Sequence, residues 1–404
     1  MEAGRIGRRI AYWRERRGFT QADFGRYMGQ TKRWVQELEG GRRQGDPRLS
    51  VLIRASEILR VPLEQLLIDG PPDPPPATTP PVEIVGVIDS IYQRLPESAP
   101  LPTMEQMRNR LVYCCAAYQA CHFTALGRDL PTLIKQAQRA VDLAGPEAME
   151  AHALHSRVLQ LTASLLHKYG ASTAITAGIV ADRALAAAKA AGSPVAIGAA
   201  SRQVARSLAH QQQPAAAAAF AVDAARSLGP DLTSGGPEGL STLGMLYLVA
   251  ATATSTAQRS LNVVERASGY IAQAAEAADQ QGVDLNADWT MFGPTNVLLH
   301  RVDVAARFED GWSALEAADE IDAVAFDGMA RERKAQHLIT MARASLLTRR
   351  KNAAVESLLE AARIAPEEVI GRQTTMELVK DVLRAVPMPS EKLRELGRQC
   401  GLPA

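Results

Sequence analysis

The sequence predicts an all-α protein in two parts, a five-helix head and a long α-solenoid body. Three observations carry this. Apolar residues recur at three- and four-residue spacing along the chain, and no segment alternates as a strand does. Alanine is abundant while aromatics make up 5% of residues, a mix that favours closely approaching helices. Between Gly70 and Pro81, seven of twelve residues are proline, which suits an extended, semi-rigid spacer and no helix. The expected organisation is a head over 1–69, a linker over 70–82 and a body over 83–404.

The head divides by start and stop signals. Ile6 to Arg16 is an amphipathic helix with Ile6, Ile10 and Trp13 inward, closed by Gly18. Thr20 is an N-cap for a second helix with Phe24 and Met28 on its apolar face, and Gly29 breaks it. Thr31 caps a third helix with Val35 and Leu38 inward, ending at Gly40-Gly41. Two more helices are expected over roughly 49–59 and 63–67.

Charge separates the parts. Residues 1–70 carry fourteen Lys/Arg against nine Asp/Glu, whereas the remainder carries thirty-one against thirty-five. A basic head on a mildly acidic body suits a polyanion partner for the head.

In the body, glycine and proline recur at intervals of about 15–25 residues, including Gly127, Gly145-Pro146, Gly192, Gly229-Pro230, Gly293-Pro294 and Pro366. Helix pairs of that length suggest a solenoid. The apolar run 240–258 holds Thr252, Thr254, Ser255 and Thr256 and reads as a buried helix, with no membrane span expected. The N-terminus has no apolar run fit for a signal peptide.

Candidate chemistry is sparse. Cys114, Cys115 and Cys121 lie in a helical, mostly apolar run beside His122, and with Cys400 they read as core thiols of a reduced, cytoplasmic protein. His152 and His155 are three apart, but without a third ligand they read as a surface pair. There is no Walker loop, dinucleotide fingerprint or HExxH motif. Neither an enzyme activity, a metal nor a cofactor is therefore expected.

The stretch from Trp289 to Asp303 concentrates rare aromatics in an aromatic-poor chain. Gly293-Pro294 opens a helix on which Asn296, His300 and Asp303 share one face at i, i+4 and i+7. Trp289, Phe292, Asn296 and His300 are candidate ligand-binding residues. The competing roles are core packing for Trp289 and Phe292, and ordinary inter-helix hydrogen bonding for Asn296 and His300.

The run from Phe19 to Arg43, FTQADFGRYMGQTKRWVQELEGGRR, resembles the Cro/CI phage-repressor family, often called XRE. The resemblance covers about 65 residues. It rests on Thr20-Gln21 opening the second helix, Gly29 in the turn, Thr31 capping the third, then Val35, Leu38, Glu39 and Gly41 at the family's spacing, and VPLEQLL at 61–67 as the closing helix. It implies a helix-turn-helix head whose third helix enters the major groove of a double-stranded DNA operator. It places Lys32, Arg33 and Glu37 at base-reading positions, with Gln36 one turn on. Gln21 stands where the family's glutamine bonds a phosphate, and Arg42 and Arg43 reach the flanking backbone. Trp34 departs from the usual small polar residue; it either contacts a thymine methyl or sugar, or folds back on the head. Glu37 must pair with a base or with Arg33 to sit near phosphates. The alternative for the head is a protein-binding domain with solvated basic faces.

The segment Lys334 to Pro366 resembles a tetratricopeptide repeat (TPR), and 129–169 and 172–211 are looser pairs of that kind. Domain order resembles the peptide-sensing regulators of Gram-positive bacteria and actinobacterial XRE regulators with TPR-like C-terminal regions; FGPTNV is similar to a stretch of the latter. The implied protein is a homodimeric, ligand-sensing transcriptional regulator, cytoplasmic and nucleoid-associated, with a peptide or small-molecule effector. The alternative is a DNA-tethered interaction scaffold without ligand sensing.

Overall fold

The computed structural model describes residues 5–40, 47–61, 63–67, 80–144 and 148–402. Its chain divides into two compact units, Met1–Ala77 and Thr78–Ala404. Every named element is helical, with a lone antiparallel bridge between Leu285 and Phe292 among the described residues. Most of the expected linker, and the expected phosphate contacts Arg42 and Arg43, lie outside the described residues.

The first unit contains α1 (Arg5–Arg16), α2 (Gln21–Met28), α3 (Lys32–Glu39), α4 (Leu49–Leu59) and α5 (Leu63–Leu67). Local chemistry sets their ends. Thr20 Oγ1 accepts from the Asp23 N–H and Thr31 Oγ1 from the Trp34 N–H, so each hydroxyl satisfies an amide that the helix itself leaves unpaired. Gly29 ends α2 at φ 68°, a left-handed conformation that costs glycine nothing. Ile10, Phe24, Val35, Leu38, Leu52, Ala55, Leu59, Val61 and Leu66 form the core, with Ile6, Trp13, Met28 and Trp34 packed around it. Behind α3, Arg14 Nε donates to Glu39 Oε1 at 2.5 Å in a buried pair.

The second unit begins with α6 (Val82–Ser90), α7 (Met104–Gln119), α8 (Phe123–Asp142) and α9 (Ala148–Leu166). A 3-10 turn, His167–Ser172, leads to α10 (Ala174–Ala191), α11 (Pro194–His210), α12 (Pro214–Ser234), α13 (Gly236–Thr254) and α14 (Leu261–Gln281). Next come α15 (Pro294–Arg307), α16 (Gly311–Asp319) and α17 (Ala323–Asp327). The last helices are α18 (Arg331–Leu347), α19 (Lys351–Ile364), α20 (Pro366–Val369), α21 (Gln373–Ala385) and α22 (Glu391–Gln399). From α8 to α16, each helix packs on the next. No helix among the described residues is long and apolar enough to cross a membrane; the apolar run 240–258 lies mostly in α13 and is largely buried.

Small residues make these crossings close. Ala177, Ala181, Ala184 and Ala188 form a buried stripe on α10, and there Ser156 Oγ of α9 reaches the Ala184 carbonyl of α10 at 2.8 Å. A hydroxyl as short as serine's can reach a neighbouring helix's backbone only where no bulky side chain intervenes. Two expected breaks do not occur. Gly127 lies inside α8 and Pro230 inside α12. At Gly127 the missing side chain serves packing, because a Cβ there would stand 2.8 Å from Glu83 Cβ.

The C-terminal helices return to the start of the array. α18 packs on α7, and Glu367 Oε2 accepts from the Thr124 N–H at 2.9 Å. Lys168, just after α9, bonds Glu332 of α18 at 2.6 Å and Glu368 of α20. The second unit therefore closes on itself around a cavity.

Candidate functional site

In the first unit, the surface of α3 away from the core carries Lys32, Arg33 and Gln36, all exposed; Thr31 is exposed at its start, its oxygen occupied as the cap. The guanidinium of Arg33 is 87% exposed and its Nε lies 3.2 Å from Glu37 Oε1, so Glu37 takes the intrahelical partner that its place on a basic face requires. Trp34 is partly buried against the core. Gln21 Nε2 donates to Glu39 Oε2 at 2.8 Å, which ties its amide to the buried Arg14–Glu39 pair. Arg14 in turn donates to the Phe19 carbonyl at 2.8 Å. These bonds hold α1, α2 and α3 together from behind and leave the outer face of α3 to solvent.

In the second unit, the cavity has a volume of about 710 Å³. Helices α7, α9, α11, α13, α15, α18 and α21 contribute to its wall. Of the four expected ligand-binding residues, Trp289, Asn296 and His300 line it, as does Asp303. Phe292 does not. Its ring is fully buried in the core between α13, α14 and α15, against Gly244, where a Cβ would stand 1.9 Å from Phe292 Cζ. The aromatic fills the room that the missing side chain leaves.

The segment between α14 and α15 forms a bar along the cavity. Asp288, Trp289 and Met291 all have positive φ (49°, 58° and 51°), a strained conformation for residues with side chains. Two side-chain links hold it. Gln119 and Asn286 exchange amide hydrogen bonds of 2.9 and 2.8 Å, and Arg157 Nη2 pairs with Asp288 Oδ1 at 2.9 Å.

Asn296 is fully buried. Its Nδ2 donates to the Thr290 carbonyl at 3.2 Å, which fixes the amide's orientation, and its Oδ1 has no partner. His300 Nδ1 lies 2.8 Å from the Asn296 carbonyl; a carbonyl only accepts, so that nitrogen carries the proton. Burial pushes His300 down to about 4, with Arg333 adding to the effect, so the ring is neutral near pH 7. Burial opposes the charge of Asp303, but Arg307 at 2.6 Å outweighs it and holds the carboxyl below its usual range. Burial likewise opposes Lys168, and Glu332 and Glu368 outweigh it, so its pKa is raised.

The sequence reading missed most of this wall, above all Arg202, Arg206, His167 and Lys168. One local signal was available: Arg202, Gln203 and Arg206 interrupt an otherwise small and apolar helix, at a spacing that puts both arginines on one face.

The thiols of Cys114, Cys115, Cys121 and Cys400 are buried, and desolvation pushes Cys114 up to about 12 and Cys115 to about 11. His155 is buried, not a surface residue as expected, because α9 is packed on several sides by its neighbours. Among the described residues, no group of three or more His, Cys, Asp or Glu side chains is placed to hold a metal.

No protein-family model matches the chain, and neither does any curated protein or solved structure.

Proposed function

We propose that the chain is a sequence-specific DNA-binding transcriptional regulator of the Cro/CI (XRE) kind. Its helix-turn-helix head, α2 and α3, reads an operator, and its TPR-like body dimerises and senses a peptide or small-molecule effector. The observation that carries the reading is the outer face of α3. Lys32, Arg33 and Gln36 face solvent while Val35 and Leu38 are buried and Glu39 is locked to Arg14. A short helix braced from behind, with cationic and amide side chains in its first turns, suits insertion into a major groove. There arginine pairs bidentately with guanine and glutamine with adenine. Arg33 and Glu37 either stay paired or exchange their bond for base edges.

The cavity supports sensing over scaffolding. A scaffold presents its contacts outside, whereas here unpartnered polar atoms line a cavity between the helices. The close crossing of α18 and α19 through Ala342 and Ala361 is what supports the TPR-like reading of the body. The reading places the protein in the cytoplasm, on the nucleoid, and assigns it no catalytic step, metal or cofactor.

The test is selection of bound duplexes from a randomised DNA pool by the full chain. Enrichment of a two-fold symmetric motif with half-sites about 10 bp apart is expected. The double substitution Lys32→Ala, Arg33→Ala should abolish it. A pool that stays flat with the unsubstituted chain overturns the reading.

A further inference from the structure

Most cations in the wall of the cavity are matched by carboxylates. Arg157 has Asp288, Lys168 has Glu332 and Glu368, Arg307 has Asp303, and Arg372 has Glu368. Arg202 and Arg206, one turn apart on α11, and Arg343 on α18 have no carboxylate at ion-pair distance among the described residues. Arg202 Nε is buried and without a hydrogen-bond partner. Burial, and after it the neighbouring charge of Arg206, push the Arg202 guanidinium down to about 9. An uncompensated guanidinium in such a place destabilises the fold.

The same cavity holds acceptors in need of donors. Asn296 Oδ1 and Asp288 Oδ2 are buried and unpartnered. His167 adds a third. Ser207 Oγ gives its hydrogen to the Gln203 carbonyl at 2.9 Å, so His167 Nε2, 2.9 Å from that oxygen, is the donor and the unpartnered Nδ1 is an acceptor. Met245, Val249, Leu299 and Ile339 supply an apolar part of the wall. The volume falls within the roughly 300–1,000 Å³ usual for small-molecule sites.

We infer that the cavity takes a small organic anion with an apolar body. Its carboxylate or phosphate lies on the Arg202–Arg206 pair, and its hydroxyl or N–H groups meet Asn296 and Asp288. A guanidinium fork matches either acid bidentately. A cationic ligand would add to a charge already in excess, and a purely apolar one would leave the buried acceptors unmet. The inference rests on the reading of the body as a sensor and specifies its effector's chemistry.

The test measures the melting temperature of the full chain in sodium chloride, sodium phosphate and sodium citrate at matched ionic strength. For the unsubstituted chain, phosphate or citrate should raise it by about 2–8 °C over chloride, the shift expected of a millimolar site near saturation. Which of the two acts more strongly separates phosphate from carboxylate recognition. Arg202→Met should melt higher than the unsubstituted chain in chloride, because the uncompensated charge is gone, and should lose the anion-specific rise. Arg206→Met, should Arg202→Met fail to fold, should lose that rise too. Equal melting in all three salts, or an unchanged rise in both variants, overturns the inference. Operator binding separates the two readings. Anion binding with unchanged operator affinity removes sensing and leaves the anion site standing. An operator response to uncharged compounds alone, with no anion effect on melting, does the reverse.

Discussion

Lys168 Nζ and Glu332 Oε1 meet 2.6 Å apart, 164 residues distant in the chain, and Glu368 closes on the same ammonium from 200 residues away. The rings of Tyr118 and Phe123 lie 5.0 and 5.2 Å from that nitrogen. One cation thus joins α7, α8, α18 and α20. An array stabilised only between neighbours would have open ends; this one is latched by a buried ionic cluster.

Lys168→Met should therefore cost far more than a surface ion pair. It removes the ammonium and leaves Glu368, fully buried, with Arg372 and Gln336 alone. Breaking one partner of a buried pair costs about 3–5 kcal/mol. Chemical denaturation of the second unit should show that loss. A change under about 1 kcal/mol, the size typical of exposed pairs, would mean that the latch is not structural.

Acid should loosen the body in a defined window. Burial lowers His155 to about 4, and lowers His300 and His337 to about the same value. The unfolded chain takes up protons near 6.5 while the folded chain refuses them until about 4. The contribution of these histidines is therefore full above 6.5, falls as pH drops from 6.5 to 4, and is spent below, where the depressed carboxyls of Asp303 and Glu332 begin to lose theirs. His155, near His152, Asp142 and Arg183, accounts for at most about 3 kcal/mol of the fall. His155→Gln keeps a polar side chain that cannot titrate. Melting curves between pH 7 and 4 should fall less steeply for that variant; equal slopes would show that His155 is not the group responsible.

Two residues of the head should separate stability from binding. Arg33 is exposed and, among the described residues, pairs only with Glu37 of its own helix, so Arg33→Ala should leave melting nearly unchanged and weaken operator binding by about 1–3 kcal/mol, with relaxed preference at one base. Glu39 is buried between Arg14 and Gln21, so Glu39→Ala leaves the Arg14 guanidinium with only Glu15 and the Phe19 carbonyl and should destabilise the head by about 3 kcal/mol. Binding assays on folded protein, paired with denaturation, distinguish these. Unchanged operator binding by Arg33→Ala removes α3 from the groove.

The two units differ in how much their sequences disclose. The ends of α2 and α3 are written locally, because Thr20, Gly29 and Thr31 each act on backbone within three residues or so. The row Asn296, His300, Asp303 was legible for the same reason, since helical spacing alone places all three on the cavity wall. The cavity as a whole was not. Lys168 finds its partners through tertiary closure, and nothing near it in sequence names Glu332 or Glu368. Gly127 and Pro230 misled because local propensity marks them as breaks, whereas both lie inside helices, Gly127 in close contact with Glu83. For Phe292 the sequence offered both a ligand-binding and a core-packing role, and the facing Gly244 decides for core.

That last contact makes a sharp prediction. Gly244 stands mid-helix in α13, where glycine ordinarily weakens a helix by about 1 kcal/mol against alanine. By propensity alone, Gly244→Ala would stabilise. A Cβ there, however, would meet Phe292 at 1.9, 2.2 and 2.8 Å from three ring carbons. The ring cannot retreat, being fully buried among Met245, Leu248 and Ile271 of the same core cluster. Overpacking of this kind costs about 1–3 kcal/mol, enough to reverse the sign of the propensity gain. Gly244→Ala should lower the melting temperature. Adding Phe292→Leu, which vacates part of the ring's space, should recover some of the loss. Strict additivity of the two substitutions would show that the glycine and the ring do not interlock.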